Sequence, residues 1–324
     1  MPARHLLFSP LKKAIMATAA AVMFTGSVSS AWADDTVSVF TYKGDRSEST
    51  VEVPVNPERV AVIDYAVLDI IDRLEADDAV KGMPLKGTIP EYIKHFQGHK
   101  GMVNTGTVKE VDFEALMALE PEVIFIGGRL AAQHDKLSEI APVVFLSVDY
   151  TRPLLESVER NASTVAAIFS KDGQADEIIN GFKERVENIK KQVNGKTAVV
   201  GLVNATQFKT LGDTGRCSFI GRDLGFNNLA KDIEATHGNE ASFELLLKLN
   251  PEYVFILDRD SAIGRPGAKL ARDVMNNEIT AKTRAAQEDH IYYLNSTVWY
   301  LAEGGLTATD LMIRDMEQAL NINR

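Results

Sequence analysis

The chain has 324 residues, and its 35 lysines and arginines against 45 aspartates and glutamates give a formal net charge of −10. Such an acidic balance argues against nucleic acid as a partner, because nucleic acid attracts basic surfaces. The single cysteine, Cys217, excludes an intrachain disulfide framework, and we expect its thiol to be a small, partly buried apolar group.

The first 33 residues have the order of a secretory signal peptide. Three basic residues precede an apolar run at 14–24, and the small-residue pattern AWA follows at 31–33. The apolar run is too short to span a bilayer, and no cysteine stands at the cleavage site. We therefore expect export from the cytoplasm, cleavage after about Ala33 and no lipid anchor. Removal of the three basic residues leaves 32 basic against 45 acidic side chains, a net charge of −13.

The first half of the remaining chain alternates strands with helices. Residues 36–55 are rich in valine and threonine with polar residues between them, which predicts an exposed hairpin. Residues 59–63 predict a buried strand that ends at Asp64 and Tyr65, and a helix over 66–74 follows. This alternation predicts an α/β lobe with a mainly parallel sheet. The further predicted elements are a β segment ending at 81–84, helices over 89–96 and 131–140, and a strand over 143–148.

One stretch of the chain occurs twice. Residues 111–129 read VDFEALMALEPEVIFIGGR, and residues 241–259 read ASFELLLKLNPEYVFILDR. Each copy predicts a capped helix that a proline ends, then a buried strand, then an arginine at the strand's carboxyl end. Ligands of open α/β sheets bind at that end. Arg129 and Arg259 therefore suggest a cleft with a cation on either wall.

Residues 151–171 predict one unbroken helix with an apolar face, about 30 Å long. The helix lies between the two copies, so we interpret it as a rigid spine that joins two lobes and permits little hinge closure. An ordinary long surface helix of one lobe is the alternative. The predicted division is a signal peptide at 1–33, an N-terminal lobe at 34–150, the connecting spine at 151–173 and a C-terminal lobe at 174–324.

The second half contains polar stretches between its predicted elements. Arg216 stands in GDTGR, His237 in EATHGN and Tyr300 in NSTVWYLA, the last after a predicted strand. Taken singly, a loop histidine is usually solvated, a Trp-Tyr pair usually packs, and an arginine after a strand usually forms a surface ion pair. The predicted elements here are a helix over 174–193, a strand from 196, a strand over 290–294 and a closing helix over 306–320.

Taken together, these features are specific. The signal peptide, the duplicated unit, the single spine helix and the motifs TGR, THG, LDR and WYLA, in that order, resemble the periplasmic binding proteins that deliver ferric siderophores to ABC importers. The similarity is to the catecholate receptors of the enterochelin and petrobactin type, and it covers essentially the whole chain after residue 33. It implies a class III fold, with two lobes of mainly parallel sheet flanked by helices and joined by one spine helix.

The resemblance also implies how the protein works. It implies a periplasmic monomer that is not an enzyme, carries no intrinsic cofactor and takes Fe(III) only as part of a bound siderophore. Its partners would be the ferric siderophore and an inner-membrane ABC permease.

The resemblance further implies the ligand-binding residues. Arg129, Arg216 and Arg259 would form a cationic floor for the anionic ferric catecholate, since a guanidinium is always charged and forks onto two oxygens. His237 and Tyr300 would bind the iron directly. Fe(III) takes six donors, so a tetradentate ligand leaves two positions for these side chains. A hexadentate ligand would leave them only as pocket lining.

Glu114 and Glu244 occupy matching places in the two copies. In proteins that this chain resembles, one glutamate on each lobe meets arginines of the membrane permease, and such charges steer docking. Each glutamate also stands in the first turn of its predicted helix. Compensation of the helix dipole explains the pair equally well.

Other functions stay open at this point. A zinc or manganese receptor would need three or four converging histidines and carboxylates, and only His95 and His99 have helical metal spacing. Haem and cobalamin receptors share the architecture, although three arginines suit a more anionic cargo. No Gly-rich phosphate loop, G-x-S-x-G elbow or H-E-x-x-H motif favours an enzyme. A secreted adhesion or scaffold module would bind no small ligand tightly.

Overall fold

A computed structural model describes residues 35–232, 239–240 and 242–322. The predicted signal peptide therefore lies outside the described residues. Within these ranges, no helix combines the length and the apolar character needed to cross a bilayer.

The described chain begins with the predicted antiparallel hairpin, made of β1 (Thr36–Tyr42) and β2 (Glu48–Pro54). A second group of strands comprises β3 (Val60–Ile63), β4 (Val80–Met83), β5 (Val103–Asn104), β6 (Val123–Ile126) and β7 (Val143–Phe145). These five form a parallel sheet in the order β5-β4-β3-β6-β7. The first sheet thus has the predicted parallel arrangement, which places the carboxyl ends of its strands at one edge.

The helices of this half lie close to their predicted positions, but several are 3₁₀ helices. The short helix predicted over 89–96 is a 3₁₀ helix shifted by two residues, and the one predicted over 131–140 is divided between a 3₁₀ helix and a short α-helix that ends at Ser138. Short connecting segments commonly take this tighter form. The helices are α1 (Tyr65–Arg73), α2 (Phe113–Leu119) and α3 (His134–Ser138), with 3₁₀ helices at Asp77–Ala79, Glu91–Gly98 and Gly128–Gln133.

Two long helices connect the two sheets. α4 (Leu154–Phe169) is followed closely by α5 (Asp172–Val193), and the two pack against each other. The predicted spine of 151–171 is therefore too long, because Pro153 at the N-cap is extended and Ser170 ends the helix in the left-handed conformation, with φ 56°. The lobe boundaries themselves stay a prediction.

The second sheet is mixed. Its strands are β8 (Thr197–Asn204), β9 (Gln207–Leu211), β10 (Asn227–Asn228), β11 (Asn239–Glu240), β12 (Tyr253–Asp258) and β13 (Ile291–Tyr293). The parallel pairs are β8 with β12, β12 with β13 and β8 with β10, whereas β9 runs antiparallel to both β8 and β11. This antiparallel edge was not predicted from the sequence. The tight turn that creates it contains Ala205 and Thr206, with φ of 50° and 65°, and neither residue signals such a turn.

The helices around the second sheet are short, except for the last. They are α6 (Phe219–Arg222), α7 (Phe243–Leu249), α8 (Arg259–Ala262), α9 (Ala271–Met275), α10 (Arg284–Gln287), α11 (Ser296–Leu301) and α12 (Leu306–Ala319), with a 3₁₀ helix at Thr280–Lys282.

The duplicated stretch folds in the same way both times. α2 leads to β6, and α7 leads to β12. Asp112 and Ser242 each cap their helix by accepting a hydrogen bond from the N–H three residues on, at 3.0 and 3.1 Å. Glu120 and Asn250 end the helices in the left-handed conformation, directly before the proline. The repeat therefore brings two strands with the same local design into the centres of the two sheets.

Alternate residues of the central strands pack into different cores. In β3, Val60 joins a large core shared with α4, α5 and the second sheet, whereas Ala61 joins a separate core on the other face. In β8, Val200 belongs to the same large core and Val199 to a third. Each sheet is thus buried on both faces, as parallel strands with continuous apolar sequence require.

A buried carboxylate ties α1 to α12. Asp69 accepts hydrogen bonds from the backbone N–H groups of Thr307 and Ala308, both at 2.8 Å, and from the hydroxyl of Tyr92 at 3.0 Å. Gly305 permits this approach, because a Cβ there would lie 2.2 Å from the Asp69 carboxylate. Burial raises the pKa of Asp69 to about 6, although the same hydrogen bonds act to lower it.

We expect Asp69→Ala to lower the free energy of unfolding by about 1–3 kcal/mol, because the first N–H groups of α12 lose their buried acceptor. Urea denaturation followed by circular dichroism measures this loss. Asp72→Ala on the same helix is the control, since Asp72 bonds mainly to the exposed His95 and should cost less than about 1 kcal/mol. Equal losses for the two variants would contradict the role given to Asp69.

Candidate functional site

A cavity of about 320 Å³ lies where the carboxyl ends of the first sheet face α11 and the turn before α6. This is the edge at which parallel α/β sheets bind ligands. Its polar lining comes from both halves of the chain. The residues that matter here are Asp64, Arg129 and Ser147 from the first half, and Arg216, Tyr300 and Glu303 from the second.

Arg129 follows β6 and reaches across the cavity. Its Nη2 donates a hydrogen bond to the backbone carbonyl of Tyr300 at 2.9 Å, so the guanidinium joins the two walls. Its Nη1 lies 4.0 Å from Oδ2 of Asp64. The Arg129 side chain is 25% exposed, which leaves part of its charge available to a ligand.

The two glycines before Arg129 make room for charged neighbours. A Cβ on Gly127 would lie 1.9 Å from the Asp64 carboxylate, so only glycine fits there. The carbonyl of Gly128 accepts a hydrogen bond from Arg46 at 2.9 Å. The sequence GGR thus gathers one carboxylate and two guanidinium groups at the end of a single strand.

Asp64 is both a helix cap and a wall of the cavity. Its Oδ1 accepts hydrogen bonds from the N–H groups of Ala66 and Val67 at the start of α1, at 2.9 and 3.3 Å. Burial raises the pKa of this carboxyl, and the charge of Arg129 opposes that rise.

Arg216 is the most deeply buried cation of the cavity, with only 8% of the residue exposed. Its Nη1 donates to the carbonyls of Trp299 and Tyr300, at 3.2 and 3.0 Å. Its guanidinium carbon lies 4.3 Å from the centre of the Tyr300 ring, a cation–π contact. Burial works against the charged form, but the negative charge of the neighbouring Glu303 opposes it, and the pKa of Arg216 is raised.

Glu303 is the acidic partner of Arg216. Its Oε2 lies 3.6 Å from Nη1 of Arg216 and accepts a hydrogen bond from the Tyr150 hydroxyl at 2.7 Å. Its Oε1 accepts from the backbone N–H of Cys217 at 3.3 Å. Burial raises the pKa of Glu303, and Arg216 opposes that rise. Burial also raises the pKa of Tyr150, which keeps its proton as a donor. Cys217 is a free, buried thiol, in agreement with its predicted apolar role.

Arg259 approaches Tyr300 from outside the cavity lining. Its Nε donates to the Tyr300 hydroxyl at 3.0 Å, and its Nη1 donates to Oδ1 of Asn204 at 2.9 Å. It begins α8, which Asp258 caps through the N–H of Ser261. Arg259 thus holds the phenol in place, whereas Arg129 and Arg216 border the cavity itself.

The remaining predicted site residues are not among the described residues that line the cavity. His237 lies outside the described residues, so its place at the cavity stays a prediction. Glu114 and Glu244 are exposed in the first turns of α2 and α7. Within the described part of the chain, no three His, Cys, Asp or Glu side chains are grouped so that they could hold a metal ion.

Several lining residues were missed from the sequence. Arg46 and Lys109 are exposed cations at the cavity, and both come from loops without a recognisable pattern. Tyr150 precedes the spine segment and gave no signal either. Glu303 did have a sequence signal, since it directly follows the WYLA motif, but an acidic residue was not expected beside an anion site.

We expect Gly127→Ala to lower the free energy of unfolding by about 1–3 kcal/mol, because the new methyl group must displace the buried Asp64 carboxylate. Urea denaturation measures the change. Gly181→Ala is the control, since no atom lies within 4 Å of a Cβ there and alanine should favour helix α5 by about 0.5–1 kcal/mol. An unchanged or raised stability of Gly127→Ala would show that the glycine is not needed for this contact.

Comparison with known proteins gives consistent results. Residues 60–298 match the model of the periplasmic binding protein family. The chain is 31% identical over 318 residues to the petrobactin-binding protein YclQ of Bacillus subtilis, covering 97% of this chain and 98% of that protein. The crystal structure of YclQ superposes with a TM-score of 0.81 at 30% identity, over 88% of this chain and 99% of the other.

A second solved structure agrees with the first. The periplasmic catecholate-siderophore binding protein VctP of Vibrio cholerae has a TM-score of 0.80 at 25% identity, over 88% of this chain and 100% of the other. These relatives are binding proteins and not enzymes. The α/β architecture, the matched family model and the similarity over nearly the whole length agree, and the chain belongs to the periplasmic binding protein family.

Proposed function

We propose that this protein is a periplasmic receptor that binds a ferric siderophore in the cavity and delivers it to an inner-membrane ABC permease for iron uptake. The observation that carries the proposal is the pair Arg129 and Arg216, whose guanidinium groups both bond to the Tyr300 carbonyl at the cavity. In a chain of net charge −10, cations gathered at one cavity favour an anionic cargo. One relative is named as a petrobactin-binding protein and another as a catecholate-siderophore binding protein, which supports the same cargo.

The cargo we propose is a ferric catecholate, with tetradentate ligands preferred. Catecholate oxygens present adjacent negative charges, to which the planar fork of a guanidinium is well matched. A tetradentate ligand leaves two of iron's six positions open, and Tyr300 and His237 would fill them. Arg259, which donates to the Tyr300 hydroxyl, would stabilise the phenolate that iron binding requires.

We expect a ferric bis-catecholamide to quench the fluorescence of Trp299 saturably, because Trp299 adjoins Tyr300 and the iron complex absorbs light. Arg129→Gln should weaken binding about tenfold, since a charge-assisted contact is lost. Tyr300→Phe should weaken binding of the bis-catecholamide complex but leave a hexadentate tris-catecholamide complex nearly unaffected. Fluorescence titration of each variant gives the dissociation constants.

Arg152→Gln is the matched control, because Arg152 is exposed, does not line the cavity and forms ion pairs with its near neighbours Asp149 and Glu156. It should bind like the wild type. Saturation by zinc or haem at lower concentration than by any ferric catecholate would refute the proposed cargo.

Glu114 and Glu244 are proposed to dock the receptor on the permease. Both are exposed, and each stands near an exposed apolar side chain, Met117 at 55% and Leu245 at 37%. The two glutamates occupy the same place in both copies, which suits a partner that contacts the two halves alike.

We expect Glu114→Lys combined with Glu244→Lys to abolish uptake of the ferric complex while leaving its dissociation constant unchanged, because only the docking charges are reversed. Uptake of radioactive iron by cells that lack this receptor, complemented with each variant, measures the first quantity. Glu177→Lys on the exposed face of α5 is the control and should support normal uptake. Normal uptake by the double variant would reject the docking role.

A further inference from the structure

The three arginines that the sequence motifs predicted for the site each have a carboxylate beside them. Arg216 lies 3.6 Å from Glu303, and Arg129 lies 4.0 Å from Asp64. Arg259, outside the lining, lies 3.8 Å from Asp260. Among the described residues that line the cavity, four are cationic, namely Arg46, Lys109, Arg129 and Arg216, and two are acidic, namely Asp64 and Glu303. An anion site has no obvious need for acidic groups, so these two call for an explanation.

Both carboxylates are surrounded by hydrogen-bond donors and a cation, as an ionised carboxylate requires. Glu303 receives hydrogen bonds from Tyr150 and the Cys217 N–H, and it faces Arg216. Asp64 receives two backbone N–H groups and faces Arg129. All of these neighbours are donors, and an ionised carboxylate is a pure acceptor. The two side chains therefore reduce the positive charge of the cavity wall from four units to two.

Both carboxylates are buried: 7% of Asp64 is exposed, and the Glu303 side chain is 4% exposed. Their charges act through a region of low effective dielectric, where they are screened less than surface charges are. A bound anion thus meets their repulsion together with the attraction of the arginines.

We propose that Glu303 and Asp64 set the charge selectivity of the cavity, because they reduce the electrostatic advantage that a strongly anionic ferric complex would otherwise have over a weakly anionic one. The proposal rests on the proposed function. Fe(III) with two catecholates carries one net negative charge, and with three catecholates it carries three. Each wall carboxylate therefore repels the tris-catecholate about three times as strongly at equal distance. Selectivity of this kind comes from a repulsive group against the wrong ligand as much as from attraction to the right one.

The test measures the affinities of the full chain for two probes, the ferric complexes of a bis-catecholamide and of a tripodal tris-catecholamide. Glu303→Gln keeps the size and removes the charge; its amide oxygen can still accept from the Cys217 N–H, and its NH2 group can donate to the Tyr150 hydroxyl oxygen. Asp64→Asn keeps a good helix cap while removing the other charge. Each variant should shift the ratio of the two dissociation constants about tenfold in favour of the tris-catecholamide.

Asp223→Asn is the matched control. Asp223 is a buried carboxylate that accepts from the N–H groups of Leu154 and Leu155 at the start of α4, as Asp64 does at α1, but it does not line the cavity. It should leave the ratio unchanged. If the wild type binds both probes and the ratio of the two dissociation constants is unchanged in Glu303→Gln and Asp64→Asn, charge selectivity is overturned while the proposed function stands. Failure of the wild type to bind either probe would overturn both.

Discussion

The site depends on the burial of one guanidinium group. Removing an arginine's charge from water costs several kcal/mol unless its donors and its charge are matched. The charge of Arg216 is matched by Glu303, and its Nη1 donates to the carbonyls of Trp299 and Tyr300, whereas its buried Nε has no hydrogen-bond partner among the described residues. These contacts hold the cation against the Tyr300 ring at 4.3 Å, so its position is set before any ligand arrives. A preorganised positive wall loses little conformational entropy on binding, which favours affinity for an anion.

The duplicated unit shows how the same local design serves two purposes. Arg129 and Arg259 end the two copies in the same register, after β6 and β12. Two glycines precede Arg129, and its side chain borders the cavity beside Asp64. Asp258 precedes Arg259 and caps α8, and Arg259 donates to the Tyr300 hydroxyl. The same register therefore places one arginine at the cavity and the other against the Tyr300 hydroxyl, outside the lining.

The sequence predicted what depends on local pattern and missed what depends on tertiary contact. The hairpin, the two capped helices of the repeat and the central parallel strands follow from alternation, caps and prolines, and the structure confirms them. The 3₁₀ segments and the early end of α4 at Ser170 depend on backbone geometry that the apolar pattern does not encode. At the site, Arg129, Arg216 and Tyr300 could be found through motifs. Arg46 and Lys109 could not, because only folding brings their loops to the cavity.

Helix α1 connects the fold to the site through two carboxylates five positions apart. Asp64, at its N-cap, faces Arg129 on one wall of the cavity. Asp69 caps α12, which begins three residues after Glu303 on the other wall. Both contacts require a glycine opposite, Gly127 in one case and Gly305 in the other, because a Cβ would collide with the carboxylate. One short helix thus fixes elements of both walls through buried, directional hydrogen bonds. Separating the walls would leave Asp69 without the N–H donors of Thr307 and Ala308, a cost that opposes such a separation.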